Sequence, residues 1–518
     1  MEKKDWFRLK RYPHIGLPLK LKHRGWIEDY IFDKNNIKKH SFYPFIHRKL
    51  SLRKFRRIKN ADGTKSLQRE SSYKDREVFY ANHLDSMIYG YYSDIVTKKY
   101  EKKLKEHGIE DCVSAYRSIP LNKNIESRSK CNIDFANDIF EYINKNKNRD
   151  LIVITFDITS FFDNLNHKRL KDTWIEILDE KKLPDDHYAI FKNLTKFSYI
   201  ELEDIYEEFK NEIIVDKKGK NVKIQIPNIE LLKEKNALAF CHLKDFNSRI
   251  RDKNLIKKNR FKTKEDFQKG NYRIKGIPQG SPISATLANV YLLHFDKLIN
   301  NKINEINGIY RRYSDDMIVI ADEKNMGFVY NLLIDEIKHF DLEIQPSKSQ
   351  SFLFKDKEGK FCCNEIDLNT GEIKDNTKFE YLGFSYDGEN VYLKSSGLAK
   401  YYRKMKRSIK RSGFYAKYGK NQEPQIFKNR LYKRYTIVGA HRRKIIKKDP
   451  HLPNTFIRTN TYDWGNFLTY AKLAANVFKK NKINSQISNH WNKFHKLIKD
   501  KEADIENHYK KKPKKVIE

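Results

Sequence analysis

The chain is poor in cysteine: five in 518 residues, at Cys112, Cys131, Cys241, Cys362 and Cys363. None forms a C-x-x-C pair and no zinc spacing occurs, which argues against a structural zinc module. An odd count, with no apolar leader after Met1-Glu2-Lys3-Lys4-Asp5, fits a reducing compartment, so a cytoplasmic location is expected. No uninterrupted apolar run approaches the roughly 18 residues of a membrane helix, and no membrane association is expected. No internal repeat is evident. Acids are scarce toward the C-terminus: from Lys394 to Phe494 the only ones are Glu423, Asp449 and Asp463. That region cannot easily supply the carboxylate cluster of an RNase H nuclease, but its cations can grip phosphates.

What is present is positive charge. Lys and Arg total 105 against 68 Asp and Glu, a formal net charge of +37. Such an excess predicts a polyanionic partner, and nucleic acid fits best because aromatic residues, on which bases stack, make up 13% of the chain. A lysine-rich composition alone is the plainer reading of part of that charge. The length is enough for roughly two to four domains.

Residues 1–70 are basic and aromatic without clear period, and Ser51 to Arg57 reads as a basic surface loop or arm followed by a turn at Asn60-Ala61-Asp62-Gly63. Residues 71–108 read as helices from the three-to-four spacing of Val78, Ala81, Leu84, Asp85 and Ile88. The aromatic Tyr89-Gly90-Tyr91-Tyr92 fits a core better than a base-stacking surface. A helix is expected from about Asp134 to Asn144. Residues 170–270 carry little signal beyond a hairpin, Ile213-Ile214-Val215 with Val222 to Ile226 about Lys217-Lys218-Gly219-Lys220. Val329 to Phe340 reads as an amphipathic helix, Leu342-Glu343-Ile344 as a strand, Pro346-Ser347-Lys348 as a turn, and Phe379 to Phe384 as a strand. Residues 395–518 read as very basic helices, including Arg430 to Lys448.

Three acids stand out. Leu151 to Asp157 is a short continuous apolar run ending in a carboxylate, the pattern of a buried strand. An acid there serves either chemistry or a cap and turn. Arg312-Tyr313-Ser314-Asp315-Asp316 lies between β-type runs, Gly308-Ile309-Tyr310 and Met317 to Ile320, so a hairpin with Ser-Asp at its turn is expected. Adjacent carboxylates repel, and keeping both ionised favours a bound cation, of which Mg²⁺ suits hard oxygen ligands. A solvated acidic turn is the bland alternative. Gly276-Ile277-Pro278-Gln279-Gly280-Ser281-Pro282 is a Gly/Pro loop opening a helix from Ala285 to Ile299, where backbone can approach a ligand closely. Arg117 and Lys130 are candidate triphosphate grips or plain surface cations.

Taken together this order resembles the reverse transcriptases across roughly residues 70–400. Phe156-Asp157-Ile158-Thr159-Ser160-Phe161-Phe162 looks like their first catalytic motif, Gly276 to Pro282 like the template and nucleotide loop, and Tyr313-Ser314-Asp315-Asp316 like the YxDD box. Lys348 matches the basic residue after the palm helix, and Tyr381-Leu382-Gly383 the primer grip. Arg76 to Ser86, Tyr89 to Tyr92, Ala115-Tyr116-Arg117 and Asn466 to Ala471 are similar to segments of the bacterial antiphage-defence reverse transcriptases once grouped as unknown. No zinc-bound endonuclease module of the group II intron type and no Val-Thr-Gly segment of the retron type is found.

The resemblance implies an α+β right-hand polymerase, with fingers and a palm of antiparallel sheet plus helices, then an all-α basic thumb. The expected division is a basic N-terminal extension at 1–70, fingers and palm at 71–395 with an insertion at about 200–270, and a helical thumb and C-terminal domain at 396–518. It implies RNA-directed DNA polymerase activity in phage defence, with a structured non-coding RNA as template or partner, DNA as product and dNTPs as substrates. Two Mg²⁺ ions would be held chiefly by Asp157 and Asp315, with Asp316 completing the negative site. Phe162 would exclude a 2′-hydroxyl. Gln279 and Gly280 would meet the incoming nucleotide or template, and Arg117 and Lys130 its triphosphate. Tyr313, Tyr381, Leu382 and Gly383 would hold primer and template, and Lys348 would act as general acid toward pyrophosphate. A template-independent or protein-primed transferase and a retron or orphan intron-type enzyme share the fold. A non-catalytic RNA-binding scaffold is the reading from another class. Oligomeric state is not readable.

Overall fold

The structure, a computed structural model, describes residues 6–59, 65–122, 128–345, 349–368, 370–419, 425–440, 444–448, 456–462 and 465–510. The expected turns at 60–63 and at Pro346-Ser347-Lys348 lie outside the described residues. The chain divides into two compact units. The first comprises 1–117, 155–319 and 327–349; the second comprises 118–154, 320–326 and 350–518. Among the described residues no helix is long and apolar enough to cross a membrane.

In the first unit, strands Phe45–Lys59 and Lys65–Tyr80 form one long antiparallel hairpin, in register from Ile46 opposite Tyr80 to Arg57 opposite Arg69. The basic 51–57 stretch is therefore strand, and residues 71–80 are strand rather than helix. Their Val, Phe and Tyr content suits a pleated surface, and cross-strand pairing outweighs the weak helical spacing. The helix starts only after Asn82, whose side chain accepts the Leu84 N–H at 3.2 Å, and runs His83–Glu106. Tyr89 and Tyr92 are buried along it.

The base of the long hairpin pairs in parallel with Ser198–Glu201, which pairs with Lys257–Lys258. A second four-stranded sheet places His14–Ile15, Ala237–Cys241, Ile213–Lys217 and Lys220–Ile224 side by side. The last two are the hairpin read from sequence, turning at Lys218 (φ 52°) and Gly219 (φ 84°). Ile15 and Ile46 share a core with Ile200, Ile205, Phe209, Ile213 and Phe240. Much of the 200–270 stretch, expected as an insertion of little signal, thus folds together with the N-terminal segment.

Strand Leu151–Asp157 is cut by the unit boundary after Ile154, and strand Asp316–Asp322 after Val319. In the first unit the start of the latter lies between strand Ile309–Tyr313 and the end of the former. The expected single helix at 285–299 is two, Ser284–Tyr291 and Leu293–Glu305, broken at Leu292. Residues 286–293 are all buried, so packing on every side decides their path over helix propensity. Helix Met326–His339 follows; Leu342 to Ile344 is a single bridge to Ile158 rather than a strand.

In the second unit, helix Asn132–Lys145 packs Phe140 against Phe379, Tyr386 and Phe478. Gln350–Lys357 and Lys360–Ile366 form a hairpin. The stretch 379–384, read as one strand, is a tight hairpin of Phe379–Tyr381 and Phe384–Tyr386. Both turn residues, Leu382 (φ 44°) and Gly383 (φ 95°), are left-handed, the geometry that matches strand twist in two-residue turns. The C-terminal region is helical, with Ser395–Tyr418, Lys428–Tyr435, Phe467–Val477 and His490–Lys510. One strand pair interrupts it, Lys444–Lys448 with Phe456–Tyr462, where a helix over 430–448 was expected. Ile445-Ile446 and the Thr- and Tyr-rich partner favour pairing there.

Candidate functional site

Asp157 closes its strand with an apolar interior behind it: residues 151–154 and Phe156 are buried while Asp157 itself is half-buried. The backbone on either side of it is held. Ile158 N–H donates to the Asp315 carbonyl at 3.2 Å, and Gln345 N–H donates to the Asp157 carbonyl at 2.8 Å. Asp157 and Asp315 are thus brought to neighbouring chain ends of one sheet. Ser314 and Asp315 form the turn between Ile309–Tyr313 and Asp316–Asp322, with Ser314 at φ 63°. Asp315 is half-buried and Asp316 exposed. Among the described residues no three His, Cys, Asp or Glu side chains gather into a group that could hold a metal ion.

The turn rests on a buried charge pair that sequence reading missed. Arg312 Nε and Nη2 donate to the two Asp296 oxygens at 2.8 and 2.6 Å, both side chains wholly buried. Arg312 Nη1 donates to Asn289 Oδ1 and to the Ser314 carbonyl, each at 3.1 Å. Tyr310 Oη donates to Asp296 at 2.8 Å, and Ser314 Oγ lies 3.1 Å from Tyr116 Oη. A signal existed. Asp296 follows Leu292, Leu293 and Phe295 and precedes Ile299, and an acid on an apolar helix face requires a buried partner.

The Gly/Pro loop is anchored at both ends within the same unit. Ile277 N–H donates to the Phe162 carbonyl at 2.9 Å, and Phe79 N–H to the Gln279 carbonyl at 2.8 Å. A Cβ on Gly276 (φ 93°) would lie 2.8 Å from the Asp163 carbonyl, and one on Gly280 (φ 117°) 2.7 Å from the Phe79 carbonyl. Only glycine fits this path. Ser284 Oγ closes the loop on the Pro278 carbonyl at 2.7 Å. Phe162 and Gln279 are half-buried and Gly280 is exposed.

Other expected residues are engaged elsewhere. Arg117, its side chain 5% exposed, donates twice to Glu101 at 2.7 Å and also to the Glu110 and Val113 carbonyls. Its guanidinium is committed to the protein. Lys130 pairs with Asp138 at 2.7 Å in the second unit. That unit also holds Tyr381, which is buried, and Leu382, whose carbonyl accepts from Asn132 at 3.1 Å. The Gly383 carbonyl accepts the Lys394 N–H at 3.0 Å. Tyr313 is half-buried at the end of its strand, one residue before the turn. Lys348 lies outside the described residues.

Residues 189–386 match the family described as reverse transcriptase (RNA-dependent DNA polymerase). The match takes in Gln279, the Tyr313–Asp316 turn and Tyr381–Gly383, and begins after Asp157. No curated protein sequence matches the chain. Among solved structures it is similar to apo telomerase from Candida tropicalis, with 13% identity, 96% of this chain and 71% of that chain covered, and a TM-score of 0.36. It is also similar to apo telomerase from the same organism truncated from the C-terminal domain (12%; 68% and 60%; TM-score 0.31). A third is that telomerase in complex with a TWJ fragment of telomeric RNA (14%; 59% and 44%; TM-score 0.30). The chain spans less than two thirds of the length of these last two. Over residues 189–386, then, the chain is similar to the reverse transcriptase (RNA-dependent DNA polymerase) family.

Proposed function

We propose that the whole chain is an RNA-directed DNA polymerase that adds deoxynucleotides to a primer hydroxyl. The observation that carries this reading is the backbone bond between the Asp157 strand end and the Asp315 turn, in the same unit as the loop hung from Phe79 and Phe162. Asp157 and Asp315 would hold two Mg²⁺ ions, with Asp316 adding negative charge. The donor set fits. Carboxylate oxygens are the hard donors that suit an ion that keeps waters and takes ligands from substrate phosphates. When bound, the ions would lower the pKa of the primer hydroxyl and offset charge on the departing pyrophosphate.

The remaining roles belong to the chain. Gln279 and Gly280 would border the incoming nucleotide or template, and the Phe162 ring would occupy the space of a 2′-hydroxyl. Tyr313 and the Tyr381-Leu382-Gly383 turn would steady primer and template, and Lys348 would donate a proton to pyrophosphate. Arg117 and Lys130 would reach a triphosphate only by releasing Glu101 and Asp138. We assign 1–70 to an N-terminal extension, 71–395 to fingers and palm, and 396–518 to a thumb and C-terminal domain. The setting we propose is bacterial antiphage defence in the cytoplasm with a structured non-coding RNA as template or partner. The sequence resemblance at 76–86, 89–92, 115–117 and 466–471 supports it.

Primer extension on an RNA template with dNTPs and Mg²⁺ tests the reading. Wild type extends the primer and Asp315→Ala/Asp316→Ala does not. Equal incorporation by both, or by neither, overturns it. Ready incorporation of rNTPs in the same assay removes the role given to Phe162. Sequencing the nucleic acid that copurifies with the chain tests the RNA partner.

A further inference from the structure

Tyr116 stands in a left-handed backbone conformation, with φ 64°. Glycine enters that region freely and an aromatic residue seldom does, because its Cβ crowds the backbone. Burial of the ring does not offset the strain, since the residue is 54% exposed. Tyr89, Tyr100 and Tyr310, by contrast, are fully buried and serve the core. The conformation of Tyr116 is imposed from both sides. Before it, the Arg312 N–H donates to the Cys112 carbonyl at 2.7 Å and the Ser114 N–H to the Arg312 carbonyl at 2.9 Å. Asn289 Nδ2 donates to the Ala115 carbonyl at 2.9 Å. After it, Arg117 is clasped by Glu101 and by the Glu110 and Val113 carbonyls. Strain kept at a half-exposed position between two fixed neighbours points to a task for the side chain.

The Tyr116 hydroxyl lies 3.1 Å from Ser314 Oγ. Ser314 is 5% exposed and is left-handed as well, at φ 63°. It opens the turn that carries Asp315. The backbone of that turn is held at the Ser314 carbonyl by Arg312 Nη1 at 3.1 Å and at the Asp315 carbonyl by the Ile158 N–H at 3.2 Å. Both bonds lie at the long end of the usual range. Tyr116 adds a tie through the side chain, from a segment that belongs to neither strand of the hairpin. It also gives the buried Ser314 hydroxyl its partner.

We propose that Tyr116 is a positioning residue for the acidic turn: its hydroxyl, through Ser314 Oγ, sets where the Asp315 carboxylate points. With that bond cut the turn samples more orientations, and Asp315 meets a divalent ion in the right geometry less often. The consequence for the metal ion rests on the polymerase reading; the tie itself does not.

Two single variants of the full chain and their double test this. Tyr116→Phe deletes one hydroxyl and Ser314→Ala the other. Hydrogen exchange is read first, without metal or nucleotide. Each single variant should speed exchange at the amides of 314–318 by at least about threefold and leave helix His83–Glu106 unchanged. In primer extension the half-saturating Mg²⁺ concentration should rise at least about threefold in each, while KM for dNTP stays within about twofold of wild type. The double variant should do no more than either single, because the same bond is lost only once. A tyrosine serving overall stability alone would lower the melting temperature without moving the Mg²⁺ dependence, and that result overturns the proposal. Unchanged exchange at 314–318 in Tyr116→Phe overturns it too, as do additive effects in the double variant. A wild type that extends no primer overturns the polymerase reading instead, and faster exchange in the variants would still support the positioning role.

Discussion

Replacing Asp296 by Asn tests the charge pair that supports the Asp315 turn. The change keeps the side-chain volume but leaves Arg312, which is fully buried, without its counter-charge. A guanidinium cannot escape by deprotonating. It must stay buried and unpaired, draw in water, or pull its strand outward. Breaking a buried pair from one side costs about 3–5 kcal/mol. The neighbours argue for the upper part of that range, since Asp296 also accepts from Tyr310 and Arg312 also holds the Ser314 carbonyl. At roughly 2 °C per kcal/mol for a unit of this size, the melting temperature should fall by about 6–10 °C.

Calorimetric melting of the full chain reads the shift, and hydrogen exchange at the amides of 309–320 reads where it originates. The paired change Asp296→Leu/Arg312→Met removes both charges together and should recover much of the loss, because an apolar pair of similar bulk has no desolvation to repay. A loss below about 1 kcal/mol for Asp296→Asn would refute the argument. So would a double variant no better than the sum of its singles, since the two charges would then not be coupled.

Two further outcomes follow from the first unit. Burial pulls the pKa of His14 down to about 3, and those of His83 and His187 down to about 4. Each is neutral when folded but takes a proton when unfolded below about pH 6.5, so stability is lost as pH falls from about 6.5 toward 4. Melting temperature against pH should show that slope, His83→Gln should lessen it, and a flat profile between pH 6.5 and 4.5 contradicts it. Gly280→Ala places a Cβ 2.7 Å from the Phe79 carbonyl at φ 117°. It should break the Phe79–Gln279 bond at a cost of about 1–3 kcal/mol and depress primer extension, and unchanged extension would show that the loop path is immaterial.

The parts of the molecule legible in the sequence are those written in local pattern. The apolar run 151–157, the Ser314–Asp315 turn and the Lys218–Gly219 hairpin each follow from a few neighbouring residues. The errors have a common physical source. At 71–80 a helical spacing of apolar residues is accidental, and the partner that makes it strand, Phe45–Lys59, lies outside the helical window. At 379–384 the turn was hidden because Leu382 occupies a left-handed position that Asn or Gly usually fills. At 444–448 a run of Lys masked two β-branched residues that pair with a strand beginning at Phe456.

The candidate site divides along the same line. The acidic turn and the glycine loop are local features, a turn at Ser314 and left-handed backbone at Gly276 and Gly280. What a cation does is decided by its partner, and partners are nonlocal. Arg117 and Arg312 look alike in sequence, each an Arg beside a Tyr. One is clasped by Glu101 from the preceding helix and the other by Asp296 from beneath the hairpin. The cations of helix Ser395–Tyr418 differ from both in having no carboxylate within their own helix to turn to. That contrast separates the Arg residues that build the turn and the 101–117 contact from those the fold leaves on an outer helix face.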